Sequence, residues 1–389
     1  EITSELPVVH WFVQNPAAAD TRSGTRASAW FRGEFYDNFF VRIRGGSTAG
    51  FPKKSYKFDF NTREHFRFDP EAGRAEEINL NQTWSDKAYI RQPLSFELYD
   101  QCGAPGSTSY LVRLHRNGQF HALNVFVEQP DKRLLKREGL NDAGALYKMF
   151  NAVTSGTSGV EKKNRKHENN ADLSAFVSGV NNTSGAAFER FVFDNVNVPR
   201  QLNYLVATVL TQNNDNMKKN FYLYRDSDGT GEWFQVPWDT DLTWGSHFMT
   251  NDSSADDGIW AREDYVLGGR NQNAPISPSH PFVGTQALPG NRSWNRLINK
   301  LHGNPRFAEM FRRRLRTVMD DHFSSPGLDD RITELRDSFT ADANEDRLKW
   351  GQFGQSQSLA TAIRLLEGRY LAPRRSHLFV THLEDNADN

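Results

Sequence analysis

One stretch limits what this chain can be more than any other: residues 210–245, LTQNNDNMKKNFYLYRDSDGTGEWFQVPWDTDLTWG. It reads as the end of a helix, a loop rich in acid and amide side chains, a strand, a turn, a second strand and a second acidic cluster. Asp215 and Asn220 lie in the first loop, Asp239 and Asp241 just past the second strand. A fold that closes this hairpin brings four oxygen-bearing side chains toward one place. In an extended segment Asp239 and Asp241 point the same way, with Trp238 and Thr240 opposite. Two converging carboxylates repel unless a cation separates them. Mg2+ or Mn2+, completing its shell with phosphate oxygens, meets that need. The same spacing equally suits two turn aspartates capping local N–H groups.

Asp215 and Asn220 suit phosphoryl transfer. The aspartate can take or orient the nucleophile's proton, the amide oxygen can ligate a metal, and a lysine stands nearby. Asp226, Asp228, Thr230 and Gly231 imitate the start of a calcium loop, but its twelfth position, which needs a glutamate, is Pro237. These residues are read as a hairpin turn.

Charge and cysteine content exclude several classes. Lys+Arg (47) and Asp+Glu (48) nearly cancel, so the chain is no polycationic nucleic-acid binder. Cys102 is the one cysteine, which rules out an intramolecular disulfide and a Cys-based zinc site. No apolar run reaches membrane-spanning length. The chain lacks an initiator Met, which is compatible with a trimmed leader. The 28 Phe, 9 Trp and 11 Tyr are read first as a Phe-rich core and second as an aromatic sugar platform.

Upstream, Leu6–Val13 predicts a buried strand. Val41 and Ile43 alternate with Arg42 and Arg44, and Tyr56, Phe58 and Phe60 alternate with Lys57 and Asp59, predicting half-buried strands. Between them Gly45, Gly46 and Gly50 make a loop that suits either phosphate contact or a loose hairpin. Ile90, Leu94, Leu98 and Tyr99 predict a helix with Asp86 as N-cap and Gly103 as stop. Pro93 argues for a kink or a start near Gln92. Asn117-Gly118 between β-rich runs predicts a two-residue hairpin over 109–128. A β-rich part with one helix (1–127) and a mainly helical part (128–389) follow. In the latter, 151–171 reads as a surface loop, Asp172 as a helix cap and Pro199 as a helix start. Residues 246–291, with Asp252, Asp256 and Asp257, read as a long functional or disordered loop. Asn304-Pro305 opens a helix, and 328–339, 358–370 and 374–383 predict three more.

Taken in order, LPVVHWFV, RIRGGSTAGFPKKSYKFDF, RQPLSFEL, FVEQPD, LYK (146–148), NNDNMKKNFYLYR, PWDTDLTWG and NPRFAEMFRRRLRTVMD resemble the spore coat protein H (CotH) family of atypical protein kinases over most of the chain. The Asp-x4-Asn spacing is also that of the protein-kinase catalytic loop. The resemblance implies an α+β, divergent two-lobed protein-kinase-like fold and an ATP-dependent phosphotransferase using Mg2+ or Mn2+. It implies Asp215 as the catalytic aspartate, Asn220 and Asp239 or Asp241 as metal ligands, and Gly45, Gly46 and Ser47 above the phosphates. Lys57 is the implied nucleotide lysine, with Lys53 and Lys54 as rivals, Glu97 its helix partner, and Glu128 the opening of the inter-lobe hinge. Asn213-Asn214 stands where ordinary kinases have His-Arg, and there is no Asp-Phe-Gly.

The acceptor implied by the family is a Ser/Thr hydroxyl on a Ser-rich, basic, coat-type protein. A sugar, polyol or other small-molecule hydroxyl is the alternative, and a non-catalytic coat or surface protein a third reading. The family also implies a bacterial secreted, cell-surface or spore-coat setting.

Overall fold

The computed structural model describes residues 4–71, 73–213, 215–217, 219–246, 295–354, 356–376 and 378–379. The first part of the chain contains strands β1 (Val8–Phe12), β2 (Thr25–Phe31), β3 (Glu34–Arg44), β4 (Ser55–Asp59), β5 (Phe66–Asp69), β6 (Gly73–Ala75), β7 (Glu77–Asn81), β8 (Ser109–Arg116) and β9 (Gln119–Glu128). β1, β2, β3, β4, β7, β9 and β8 close in that order into a barrel, while β5 and β6 form a small ribbon. Helices α1 (Pro16–Ala19) and α2 (Arg91–Gln101) interrupt the strands.

Alternation decides which way each strand faces. Val9, Trp11, Val41, Ile43, Tyr56, Phe58 and Phe60 fill the barrel interior as predicted. Arg42, Arg44, Lys57 and Asp59 take the opposite, half-buried face. Asn117 (φ 52°) and Gly118 (φ 81°) make the predicted primed turn, and the Asn117 amide also bonds Val13 through both its N–H and C=O. β9 is buried on both faces. Phe126 points into the barrel, while Leu123, Val125 and Val127 pack in a second core.

That second core belongs to the remainder of the chain: α3 (Lys132–Arg137), β10 (Ala145–Met149), β11 (Val160–Lys162), α4 (Ala171–Asn182), α5 (Gly185–Asn195), α6 (Val198–Thr211), β12 (Phe221–Arg225), β13 (Trp233–Pro237), α7 (Arg296–Gly303), α8 (Pro305–Val318), α9 (Gly327–Trp350), α10 (Leu359–Leu365) and α11 (Ala372–Ser376). The architecture is mixed α+β, with a β-rich N-terminal part and a mainly helical C-terminal part built on the four-stranded sheet β11-β10-β12-β13. β12 and β13 were expected and β10 and β11 were not. β11 falls inside the segment read as a surface loop. Helix α2 lies in the second core, with Leu94, Leu98 and Tyr99 buried beside α6.

Helix ends correct some expectations and meet others. α2 begins at Arg91, as Pro93 near its N-terminus allows. Asp86 is not its cap; its carboxylate accepts from the backbone N–H of Ala88 and Arg91 and binds the Arg91 guanidinium. α4 is preceded by Asn170, and Asp172 sits inside its first turn accepting from Tyr147 Oη. Asn304 caps α8, as predicted. α9 runs well past Phe339, where it kinks (φ −136°, ψ 15°). The loop expected over 246–291 lies outside the described residues beyond Ser246, as do residues 380–383 of the last expected helix.

Candidate functional site

The site forms where residues 210–246 fold against α2 and β10. α6 ends at Gln212 in the left-handed region (φ 50°). Asp215–Met217 then makes a short 3-10 turn. Asn220 is again left-handed (φ 62°), with its N–H on Met149 O of β10 (3.0 Å). The β12–β13 hairpin closes over the expected Asp226–Gly231 turn, where Asp226 accepts from Thr230 N–H. It delivers Asp239, which is not extended as expected but left-handed at φ 58°. Trp244 is left-handed too (φ 53°). Each such residue without glycine's freedom costs on the order of 1 kcal/mol or more, a strain that concentrates at functional sites.

Hydrogen bonds fix this strained path. Tyr204 Oη donates to Asn216 Oδ1 (3.2 Å), and Asn216 Nδ2 donates to Trp238 O (2.7 Å), which ties the Asp215 turn to the Asp239 segment. Helix α2 holds the far end. Trp244 Nε1 donates to Ser95 Oγ (2.8 Å), and Ser95 Oγ donates to Thr243 Oγ1 (2.9 Å).

Asn220 Nδ2 donates to Asp215 Oδ2 (2.5 Å), and Lys219 Nζ stands 3.9 Å from Asp215 Oδ1. This bond turns the Asn220 amide oxygen away from Asp215. Burial, then the Asp239, Asp215 and Asp86 carboxylates, push Asp241 well above the usual carboxylate range. Asp239, Asp215 and Asp86 are thus all within electrostatic reach of Asp241. Among the described residues no three His, Cys, Asp or Glu side chains form a metal-holding group. The available set is two carboxylates and one amide oxygen, which suits an ion that draws its other ligands from phosphate and water.

Two cations missed by sequence reasoning face the same acids. Arg44, at the end of β3, donates to Asn81 Oδ1 and lies 5.4 Å from the centroid of the Trp238 ring. Lys148, on β10, lies 5.5 Å from the same ring. Burial lowers Arg44, while Asp239, Tyr222, Asp241 and Glu77 oppose the shift. Burial and then Arg44 lower Lys148, while Asp239 opposes. The signals were present, since Arg44 opens the glycine loop and Lys148 lies in LYK, but neither residue's partner is local.

The structure pairs several expected residues differently. Lys57 does not meet Glu97. It bonds Asp59 (2.9 Å) and Glu77, because the β4–β7 register places Glu77 opposite Asp59. Glu97 on α2 instead pairs with Arg331 of α9 (2.8 Å). Lys53 is buried against Asp346 (2.6 Å), and Lys54 closes the glycine loop by donating to Ala49 O and Phe51 O. The Glu128 carboxylate is buried on Arg137 (2.6 Å) and Thr108 N–H (3.0 Å), a structural role for that side chain. Gly45 is left-handed (φ 100°), and a Cβ there would run into Thr48 Oγ1. Gly46 and Ser47 are exposed at the loop.

The family model "CotH kinase protein" matches residues 41–378. Inner spore coat protein H of Bacillus subtilis (strain 168) is 28% identical over 229 residues, covering 56% of this chain. The chain spans 61% of that relative's length. The crystal structure of a Helicobacter pylori proinflammatory kinase, CtkA, aligns over 92% of both chains at 10% identity with a TM-score of 0.35. The chain belongs to the CotH kinase family, a family of atypical kinases. No helix among the described residues is long and apolar enough to cross a membrane.

Proposed function

Taking membership of the CotH kinase family as the premise, we propose that this chain transfers the γ-phosphoryl group of ATP to a serine or threonine hydroxyl of a protein substrate. The observation that supports the reading is the Asn216–Trp238 bond, which ties the Asp215–Met217 turn to the residue preceding Asp239. In this reading the bond holds the proposed proton acceptor near the proposed cation-binding pair, and positioning is most of what a phosphotransferase supplies.

Asp215 accepts the hydrogen bond of the acceptor hydroxyl and takes its proton as the new O–P bond forms. The bond between the γ-phosphorus and the bridging oxygen breaks, and ADP departs with that oxygen's electron pair. Asn220 orients Asp215 through the bond at 2.5 Å. Asp239, Asp241 and the Asn220 amide oxygen would hold the Mg2+ or Mn2+ ion. Such an ion neutralises phosphate charge when bound. The backbone N–H groups of Gly45, Gly46 and Ser47 cover the phosphates, and the backbone from Glu128 opens the hinge.

Incubation with labelled ATP and Mg2+ or Mn2+, with Ser-rich protein and with polyol acceptors, tests this. Label on protein serine or threonine that Asp215→Ala and Asp239→Ala each abolish is the expected result. Transfer surviving both substitutions refutes the site. Label confined to the polyol refutes the protein acceptor.

A further inference from the structure

Four buried or partly buried cations of this fold each have a carboxylate in contact. Lys53 has Asp346, Arg91 has Asp86, Arg113 has Asp342 and Arg137 has Glu128. Arg44 and Lys148 differ. Both are half-buried, and among the described residues neither forms an ion pair with a carboxylate within 4.0 Å. They come from different parts of the chain, β3 of the barrel and β10 of the second sheet, yet both stand at one indole, Trp238, at 5.4 and 5.5 Å. Two half-buried positive groups brought together without a contacting anion describe a site for an anionic ligand.

The indole is itself fixed. Trp238 is buried, Tyr222 meets it edge-on at 5.9 Å and 90°, and its carbonyl oxygen takes the Asn216 bond. Arg44 is aimed by Asn81, whose own amide donates to Gln92 Oε1 (2.7 Å). Trp238 directly precedes Asp239, so the two cations stand beside the proposed metal position, where a triphosphate tail must lie. Asp239 opposes the lowering of both groups, which places it within electrostatic reach of each.

We propose that Arg44 and Lys148 are the polyphosphate-binding pair of this protein, gripping the β- and γ-phosphates in the role that the family resemblance assigns to Lys57 with Glu97. This rests on the nucleotide reading above and deepens it. Arg44 presents a planar fork to phosphate oxygens, Lys148 a point charge. Trp238 keeps both heads in place by cation–π attraction while the site is without phosphate. Lys57, engaged by Asp59 and Glu77, is not needed for phosphate.

The test is calorimetric titration of the full chain with Mg-ATP, tripolyphosphate and adenosine. The proteins are wild type, Arg44→Met, Lys148→Met, Arg44→Lys and Lys57→Met, each checked for an unchanged thermal melt. Losing one charge-assisted phosphate contact predicts about tenfold or greater weakening of ATP and tripolyphosphate binding in each Met variant of the pair, with adenosine affinity unchanged. Arg44→Lys, which keeps the charge but loses the planar fork, recovers only part of the affinity, and Lys57→Met stays near wild type. In turnover, KM for ATP rises more than kcat falls. ATP affinity retained by both Arg44→Met and Lys148→Met, in a protein whose wild type binds ATP, overturns this inference and leaves the kinase reading standing. Loss confined to Lys57→Met returns the role to that lysine. A wild type that binds neither ATP nor tripolyphosphate overturns the kinase reading itself, and this pair with it.

Discussion

Lys53 offers a sharp separation of structural from catalytic lysine. Its Nζ lies 2.6 Å from Asp346 Oδ2 and 2.6 Å from Thr83 Oγ1, with side-chain exposures of 1% and 2% for the pair. Asp346 also accepts from Leu123 N–H (2.8 Å) and Tyr89 Oη (3.0 Å). Asp346→Ala therefore leaves a buried ammonium without its counter-charge and strands a backbone N–H, while the Tyr89 phenol keeps only its 3.4 Å bond to Ala343 O. Breaking a buried pair costs about 3–5 kcal/mol, and an orphaned N–H adds about 1 kcal/mol or more, so about 4–6 kcal/mol is expected. Lys53→Met costs less, about 2–3 kcal/mol, because Asp346 keeps two donors. The double variant Lys53→Met/Asp346→Leu strands no charge and should return to within about 2 kcal/mol of wild type. Urea unfolding at pH 7 measures all three, and labelled-ATP transfer by the folded double variant measures function. If Asp346→Ala costs under about 1 kcal/mol, the burial argument is wrong. If the double variant is stable but inactive, Lys53 belongs to the nucleotide site.

Asp215→Asn keeps the Asn220 contact geometry but removes the proton acceptor. Its kcat should fall by about 10^2–10^4 with nucleotide affinity changed less than about threefold, read by single-turnover kinetics and titration. Glu97→Ala breaks a pair with Arg331 that is about a third exposed. After solvent screening the cost is under about 1 kcal/mol and the KM for ATP is unchanged; a large rise in KM would restore Glu97 to the nucleotide site. His121, hydrogen-bonded to Tyr56 Oη at 3.0 Å, is pushed down to about 3 by burial, with Arg116, Lys349 and Lys53 adding to the shift. Tyr56 Oη in turn donates to Asp20. The unfolded chain binds the His121 proton more readily than the fold does. The stability contributed by neutral His121 is thus whole above about pH 6.5 and lost as pH falls toward about 3, at most about 5 kcal/mol. His121→Phe should flatten the fall of the urea midpoint between pH 6 and pH 4 (roughly the window set by those two values), and an unchanged slope would show that His121 does not carry it.

Strand faces were legible because alternation is local. Phe58 inside and Lys57 outside follow from neighbouring residues. Asn117-Gly118 and Asn304-Pro305 were legible for the same reason, since turn and cap chemistry spans a few residues. Partners were not. Lys57 was placed on the correct face, but its companion Glu77 depends on the register of β4 against β7. Glu97 and Arg331 are 234 positions apart, and Lys53 and Asp346 are 293 apart. β10 was hidden for a related reason. Ala145–Met149 is a short apolar run whose identity as a strand comes from pairing with β12, more than 70 residues on. Arg44 and Lys148 became visible only in three dimensions, where strands from different parts of the chain bring both to the Trp238 ring.

The placement of α2 favours the proposed role of Arg44 and Lys148 over a lysine paired with a helix glutamate. A helix that pairs with a strand lysine must present its carboxylate to the barrel. Here α2 turns Leu94, Leu98 and Tyr99 into the second core. It lends Ser95 and the Arg91 carbonyl to Trp244, and gives Glu97 to α9. It is thereby committed to supporting residues 240–244, next to the paired carboxylates. α9 binds the barrel in turn through Asp342 and Asp346, one helical turn apart, on Arg113 and Lys53. These buried pairs join the barrel to α9, and a swing of α2 would have to break its own bonds to Trp244 and Arg331. Cations already fixed beside Trp238 need no such movement. Arg44 at the barrel edge and Lys148 in the second sheet occupy those positions, each carried by a strand whose register is set by its neighbours.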